Sequence, residues 1–180
     1  NGFPDVESAS EEVLLITIQD YTTKEIITWG TGPFNNIHDN VDYRQCNDEH
    51  HLLSSFIQWW IENTPDVVTG WNCEFFDIPY IAGRLNRVLG AKLMKRLSPW
   101  GLVTQNEVVK MGRKNFVVDI GGVSVLDYMR LYKWSPGTPN QESFRLDYIA
   151  QQELGQQKLD HSEFDTFKDF YTKGWQKFVE

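Results

Sequence analysis

The chain has 180 residues, 41% of them hydrophobic and 14% aromatic, with a formal net charge of −8. That is enough apolar material for one substantial core, while no run reaches the roughly 18 apolar residues of a membrane helix and the opening NGFPDVESAS has no secretory-signal pattern. Cys46 and Cys73 have no partners at metal-ligand or disulfide-framework spacing, so two inert thiols in a reducing cytoplasm are expected. A start at Asn1 instead of Met suggests a piece of something longer.

In chain order, EVLLITIQD (Glu12 to Asp20) predicts a strand, TTKE a turn and IITWG (Ile26 to Gly30) the returning strand of a hairpin. An acidic, Asn-rich loop follows. CNDEHH (Cys46 to His51) offers either metal ligands or a solvated helix start; no second Cys/His pair follows at finger-like spacing, which favours the helix start. Asp48 would cap a helix whose Leu52, Leu53, Phe56, Trp60 and Ile61 recur three and four residues apart. VVTGW (Val67 to Trp71) is short and β-branched, as a buried strand should be, and IPYIAGRLNRVLG continues as a helix closed by Gly90.

Beyond the loop SPWGL, the stretch NEVVKMGRKNFVVDIGGVSVLD (Asn106 to Asp127) predicts two or three strands, with turns near Gly112 and at Gly121-Gly122. The C-terminal third is helical in pattern. LDYMRLYKW, SFRLDYIAQQEL and FDTFKDFYTKGWQKFV carry apolar residues at helical spacing, and Pro136, Pro139 and Gly155 mark breaks. Strands, then a strand–helix unit, then helices indicate an α/β fold with a mixed sheet, built as a single domain over residues 1–180.

Charge is unevenly placed. From Arg84 to Lys114 there are eight basic side chains (Arg84, Arg87, Lys92, Lys95, Arg96, Lys110, Arg113 and Lys114) and one acid, Glu107, in a chain that is acidic elsewhere. Such a strip can follow a phosphate backbone while carboxylates elsewhere hold cations, or it can be a solvated face.

Asp77 stands where strand gives way to helix, between Phe76 and Ile78-Pro79. Ligands of open α/β sheets gather at such places. Asp also favours a helix N-cap and Pro79 tolerates a first turn, so a purely structural role with Phe75, Phe76 and Tyr80 as core remains open.

The residue order adds a further signal. Asn72, Phe76 and Asp77 spell N-x-x-x-F-D after TGW, and the chain runs on as IPYI. This segment resembles the second exonuclease motif of family B DNA polymerases, especially the replicative polymerases of tailed bacteriophages. The resemblance extends to NGFP (Asn1 to Pro4), KRLSP (Lys95 to Pro99), VSVLDYMRLYK (Val123 to Lys133) and SFRLDYIAQQEL (Ser143 to Leu154). It covers nearly the whole chain and is weaker from Asn36 to Glu49 and after Leu159.

The resemblance implies a ribonuclease-H-like 3′-5′ exonuclease fold, a mixed sheet flanked by helices, with a β-hairpin insertion at Asn106 to Val117. It implies proofreading by two-metal hydrolysis of the primer 3′ end, with Mg²⁺ or Mn²⁺ as cofactor and Asp77 as a catalytic, metal-binding carboxylate. The family's other carboxylates come from a D-x-E strand, which would fall a few residues before Asn1, and from a Y-x-x-x-D helix beyond Glu180; Tyr171 is followed four residues later by Trp175. A partial domain lacking the first and third exonuclease motifs, inactive in isolation, is therefore expected.

For DNA binding, the resemblance implies that Phe3 stacks on the unpaired primer end. Asn72 either contacts the primer strand or shapes its own loop. The hairpin tip would bring Lys110, Met111, Arg113 and Lys114 toward DNA. Expected partners are the single-stranded primer end, the primer-template and the remaining polymerase domains, in the host cytoplasm and with no membrane. Two alternatives stay open. One is a noncatalytic DNA-binding or assembly module of the same fold; the other is a different ribonuclease-H-like nuclease whose site is completed by Asp119, Asp127 or Asp147. As residues at helix starts, Asp127 and Asp147 are more readily caps than ligands.

Overall fold

The computed structural model describes residues 4–110, 113–138, 141–156, 159 and 162–180, with the side chains of Lys110 and Arg113 also left out of the description. Phe3 and Met111 therefore lie outside the described residues. The chain divides into two compact units, one made of the stretch up to Val13 with Glu49–Thr138 and the other of Leu14–Asp48 with Pro139–Glu180.

The Leu14–Asp48 segment supplies a three-stranded sheet. β1 (Leu15–Gln19) pairs antiparallel with β2 (Ile26–Gly30), and β2 pairs parallel with β3 (Val41–Gln45), giving the order β1-β2-β3. The expected hairpin is present because Asp20 organises its turn: one carboxylate oxygen accepts from the N–H groups of Thr22 (2.7 Å) and Thr23 (2.8 Å), and Lys24 takes the left-handed conformation at φ +65°.

The other unit carries the strand–helix segment around Asp77. Helix α1 (Glu49–Glu62) begins directly after Asp48 and buries Leu52, Leu53, Phe56, Ile57 and Trp60. Ile57, not the expected Ile61, completes the stripe, since it continues the 49, 52, 53, 56, 60 face of the same helix. Strand β4 (Val67–Gly70) leads through a six-residue loop into α2 (Asp77–Leu89), which Gly90 terminates at φ +88°, as its sequence position predicted. Short α3 (Ala91–Met94) and a 3₁₀ turn at Lys95–Leu97 follow, and Trp60 donates from Nε1 to the Leu97 carbonyl at 2.8 Å.

Three strands then occupy the region read as two or three. β5 (Val103–Lys110) and β6 (Arg113–Ile120) form an antiparallel hairpin in register from Val103 opposite Ile120 to Lys110 opposite Arg113. After the Gly121-Gly122 turn, β7 (Ser124–Asp127) pairs parallel with β4 and runs straight into α4 (Tyr128–Trp134). The C-terminal residues form α5 (Leu146–Leu154), α6 (Phe167–Lys173) and α7 (Trp175–Val179), the last two packed edge to face through Phe170 and Phe178, 5.5 Å between ring centroids. Parallel and antiparallel pairing with intervening helices make the architecture mixed α/β. Among the described residues no helix is long and apolar enough to cross a membrane.

The basic strip is shorter than its sequence suggested. Arg84 lies on the buried face of α2, where its guanidinium grips the Glu49 carboxylate with two nitrogens, Nε to Oε1 at 2.7 Å and Nη2 to Oε2. Nη1 also donates to the Ala9 carbonyl at 2.8 Å, and Glu49 accepts from the Val13 N–H at 2.8 Å. A charge on a core-facing helix position needs a partner, so Arg84 and Glu49 fasten the N-terminal stretch to two helices and neither serves as surface charge or metal ligand.

Candidate functional site

Strands β4 and β7 end side by side, with Gly70 opposite Asp127. From that shared carboxyl edge one strand feeds the loop to α2 and the other feeds α4, so Asp77 and Asp127 both sit where a strand becomes a helix. Gly70 suits the close approach there: a Cβ would stand 3.0 Å from the Cys73 Cβ as the loop folds back over the strand end, so Cys73 would have to give by a few tenths of an ångström.

The loop is a compact turn. Asn72 adopts φ +64°, a region that Asn tolerates better than most residues, and its carbonyl accepts from the N–H groups of Phe75 (3.3 Å) and Phe76 (3.1 Å). Of the two roles open to Asn72 in the sequence, shaping its own loop is visible here. The Cys73 carbonyl accepts from Ile78 N–H at 3.0 Å and the Phe76 carbonyl from Tyr80 N–H at 2.9 Å, so loop carbonyls take up N–H groups of the first helical turn.

Asp77 is consequently not the cap of α2. The cap position belongs to Phe76, and no side chain caps it. The Asp77 carboxylate receives no hydrogen bond from any other described residue. Its surroundings hold it rigidly: Phe76 stacks on Tyr80 at 5.8 Å, the Tyr80 hydroxyl donates to the Glu11 carbonyl at 2.7 Å, and Ile78, Pro79 and Tyr80 are buried. Asp77 keeps one side open to solvent, yet the protein packed around its carboxyl raises its pKa above the usual carboxylate value; the nearby Asp127 charge acts in the same direction and its own backbone N–H opposes both.

Asp127 is the cap of α4, as expected, and it does more. Its Oδ1 accepts from Arg130 N–H and Asn72 N–H and its Oδ2 from Glu74 N–H, each at 3.2 Å. Glu74 in turn pairs with Arg130 at 3.2 Å. Burial, followed by the charges of Asp127 and Asp77, pushes the Cys73 thiol up to about 11. Beside these residues an open groove of about 620 Å³ runs past Glu74, Leu126, Arg130, Leu131 and Trp134.

Asp77 fits one oxygen ligand of a hard divalent cation, since an accessible carboxylate that accepts from no other described residue and lies near a second negative charge is what such a cation would relieve. Asp127 does not fit, because both oxygens already accept from backbone N–H groups. Among the described residues no group of three His, Cys, Asp or Glu side chains is placed to hold a metal. Asp119 instead accepts from Asn106 Nδ2 at 2.8 Å along the β5–β6 hairpin. Asp147 belongs to the other unit, in the first turn of α5, where Arg145 and not Asp147 holds the cap position.

Of the side chains assigned to DNA, Lys114 is 72% exposed and pairs across the hairpin with Glu107 at 2.9 Å. Lys92, Lys95, Arg96 and Arg87 are also exposed. Phe3 and the side chains of Lys110 and Arg113 lie outside the described residues. Sequence reasoning did not find Glu74 and Arg130 as neighbours of the site; their pairing spans 56 positions, and no local pattern encodes it.

Comparison with known proteins gives a consistent family. The profile described as DNA polymerase family B, exonuclease domain, matches residues 1–149. The DNA-directed DNA polymerase of Escherichia phage RB69 is 39% identical over 121 residues, and that of Enterobacteria phage T4 is 40% identical over 121 residues; each match covers 67% of this chain and 13% of the relative. The DNA polymerase catalytic subunit of Elephantid herpesvirus 1 is 27% identical over 168 residues, 88% of this chain and 15% of that protein. The chain thus spans a small part of the length of these relatives.

Proposed function

Because the chain belongs to the exonuclease domain family of family B DNA polymerases, we propose that it forms part of a 3′-5′ proofreading exonuclease that removes mismatched nucleotides from a primer end. The observation that carries this reading is the placement of Asp77: it lies at the carboxyl edge of two parallel strands, in N-x-x-x-F-D sequence, with a carboxylate that accepts from no other described residue, beside the buried Asp127. We read the fold as ribonuclease-H-like, the β5–β6 hairpin as the family's insertion, and residues 1–180 as part of one exonuclease domain.

The cofactor in this reading is Mg²⁺ or Mn²⁺, for which Asp77 provides one ligand. When bound, the metal supplies neutralisation of the charge that develops on the phosphodiester. The protein's part is to present that carboxylate at a fixed point. The Asn72 turn sets the loop, the Phe76–Tyr80 stack pins the first turn of α2, and the Trp71 ring rests between Tyr128 and Tyr132 of α4, 6.1 and 5.8 Å away. Partners in this reading are the single-stranded primer end, the primer-template and the other polymerase domains, in the host cytoplasm, with Phe3, Asn72, Lys110, Arg113 and Lys114 contacting DNA.

Replacing Asp77 with Ala in the parent polymerase tests the proposal. Excision of an unpaired primer nucleotide should fall on the order of a thousandfold or more, while nucleotide insertion and the melting temperature stay near the wild-type values. A variant that melts much earlier, yet excises at the normal rate per folded molecule, would make Asp77 a structural residue and refute the assignment.

A further inference from the structure

The carboxylate of Asp127 makes three hydrogen bonds, and only one of them builds α4. The bond from Arg130 N–H is an ordinary helix cap. The other two come from Asn72 N–H and Glu74 N–H, 55 and 53 positions earlier, within the turn that delivers Asp77 to the start of α2. A cap needs a single acceptor oxygen, and Ser supplies one about as well as Asp. At 4% exposure a carboxylate is a costly choice unless its second oxygen and its charge are used, and here both are spent on the loop.

The tie is closed on both sides. The two amides that Asp127 holds flank Cys73, whose carbonyl accepts from Ile78 N–H inside α2, so the clamp and the helix start share one short piece of backbone. Outside the clamp, the Glu74 side chain returns to Arg130 on α4 at 3.2 Å, a second link between the same loop and the same helix.

We infer that Asp127 is a positioning residue for the Asp77 site: its carboxylate clamps the Asn72–Glu74 turn to the end of β7 and thereby fixes where α2 presents Asp77. The inference rests on the proofreading reading of Asp77. It assigns Asp127 no contact with metal or DNA; its effect runs through backbone geometry, where displacement of a reacting group by about 1 Å can cost on the order of a hundredfold in rate.

The test compares Asp127→Ser, Asp127→Asn and Asp77→Ala in the parent polymerase, with excision rates normalised to folded protein. Ser keeps an oxygen for Arg130 N–H but is too short to hold the loop; Asn keeps the shape and turns an NH₂ group against one loop amide. Both Asp127 variants should lower kcat for excision of an unpaired primer end about tenfold or more, with KM within about twofold of wild type. The Asn72 and Glu74 amides should exchange hydrogen faster in both. Wild-type kcat in a folded Asp127→Ser protein overturns the proposal, as does a fall in kcat with the turn amides as protected as before. Loss of melting temperature alone, with kcat per folded molecule retained, also overturns it and leaves a plain structural role. If Asp77→Ala excises normally, the reading of Asp77 fails first; if Asp77→Ala is inactive while both Asp127 variants excise at the wild-type rate, the positioning role alone fails.

Discussion

Arg84 on α2 and Glu49 on α1 meet in the interior as a two-pronged ion pair, their side chains 5% and 8% exposed. The carboxylate raises the Arg84 pKa further, so the guanidinium is charged at every practical pH. Removing either partner leaves a buried charge unpaired; loss of Arg84 also frees the carbonyls of Ala9 and Ser10, and loss of Glu49 frees the Val13 N–H. Arg84→Ala or Glu49→Ala should therefore destabilise the chain by about 3–5 kcal/mol, read from urea unfolding of the purified chain. Lys at position 84 should not rescue it, because an ammonium cannot reproduce the fork. A loss under about 1 kcal/mol for both Ala variants would mean that the pair contributes little to stability.

The β5–β6 hairpin turns between Lys110 and Arg113. If its tip meets phosphates, replacing Lys110, Arg113 and Lys114 with Ala in the parent polymerase should weaken single-stranded DNA binding and flatten the dependence of log K on log salt by up to about 2. Lys114 already shares its charge with Glu107, so Glu107→Gln should tighten binding slightly. An unaltered salt slope in the triple variant would make the hairpin a solvated face.

The 180-residue chain by itself is expected to be inert in excision. Two-metal hydrolysis depends on several carboxylates converging, and Asp77 has no such set around it among the described residues. Incubating the purified chain with Mg²⁺ and a labelled single strand checks this. Degradation that disappears on Asp77→Ala would show that the chain assembles a working site unaided.

Cys73 provides a probe of the negative pole at the site. Its thiol is pushed up to about 11, first by burial and then by Asp127 and Asp77. Relative to the ordinary thiol value of 9.0, the thiolate fraction near pH 8 falls about a hundredfold, and alkylation in the native state should slow at least that much compared with urea-unfolded chain. The folded pKa is the higher one, so the thiol's contribution to stability is complete below about pH 9 and lost between about 9 and 11. Native alkylation as fast as in the unfolded chain would contradict the packing of the Asn72 turn.

Much of the fold was legible because it is local. The β1–β2 hairpin follows from β-branched runs around an Asp20 turn; α1 follows from its apolar periodicity and the end of α2 from Gly90, all within a few residues of chain. The β-branched VVTGW run and the helical pattern of IPYIAGRLNRVLG likewise placed Asp77 at a strand-to-helix junction. Periodicity even tolerates an error of detail, as with Ile57 taking the place of Ile61 in the α1 stripe.

The sequence by itself thus determined the element types, the mixed α/β class, the family signal and the identity of the acidic residue at the junction, because backbone propensity and side-chain order act over short distances. Tertiary structure alone decided what the charges do. It buried Arg84 against Glu49, 35 positions away, and so removed it from the basic strip. It brought Asp127 onto the amides of Asn72 and Glu74 across more than 50 positions. Hydrogen-bond partners at that separation are chosen by which strand ends lie side by side, and here the parallel pairing of β4 with β7 makes the choice.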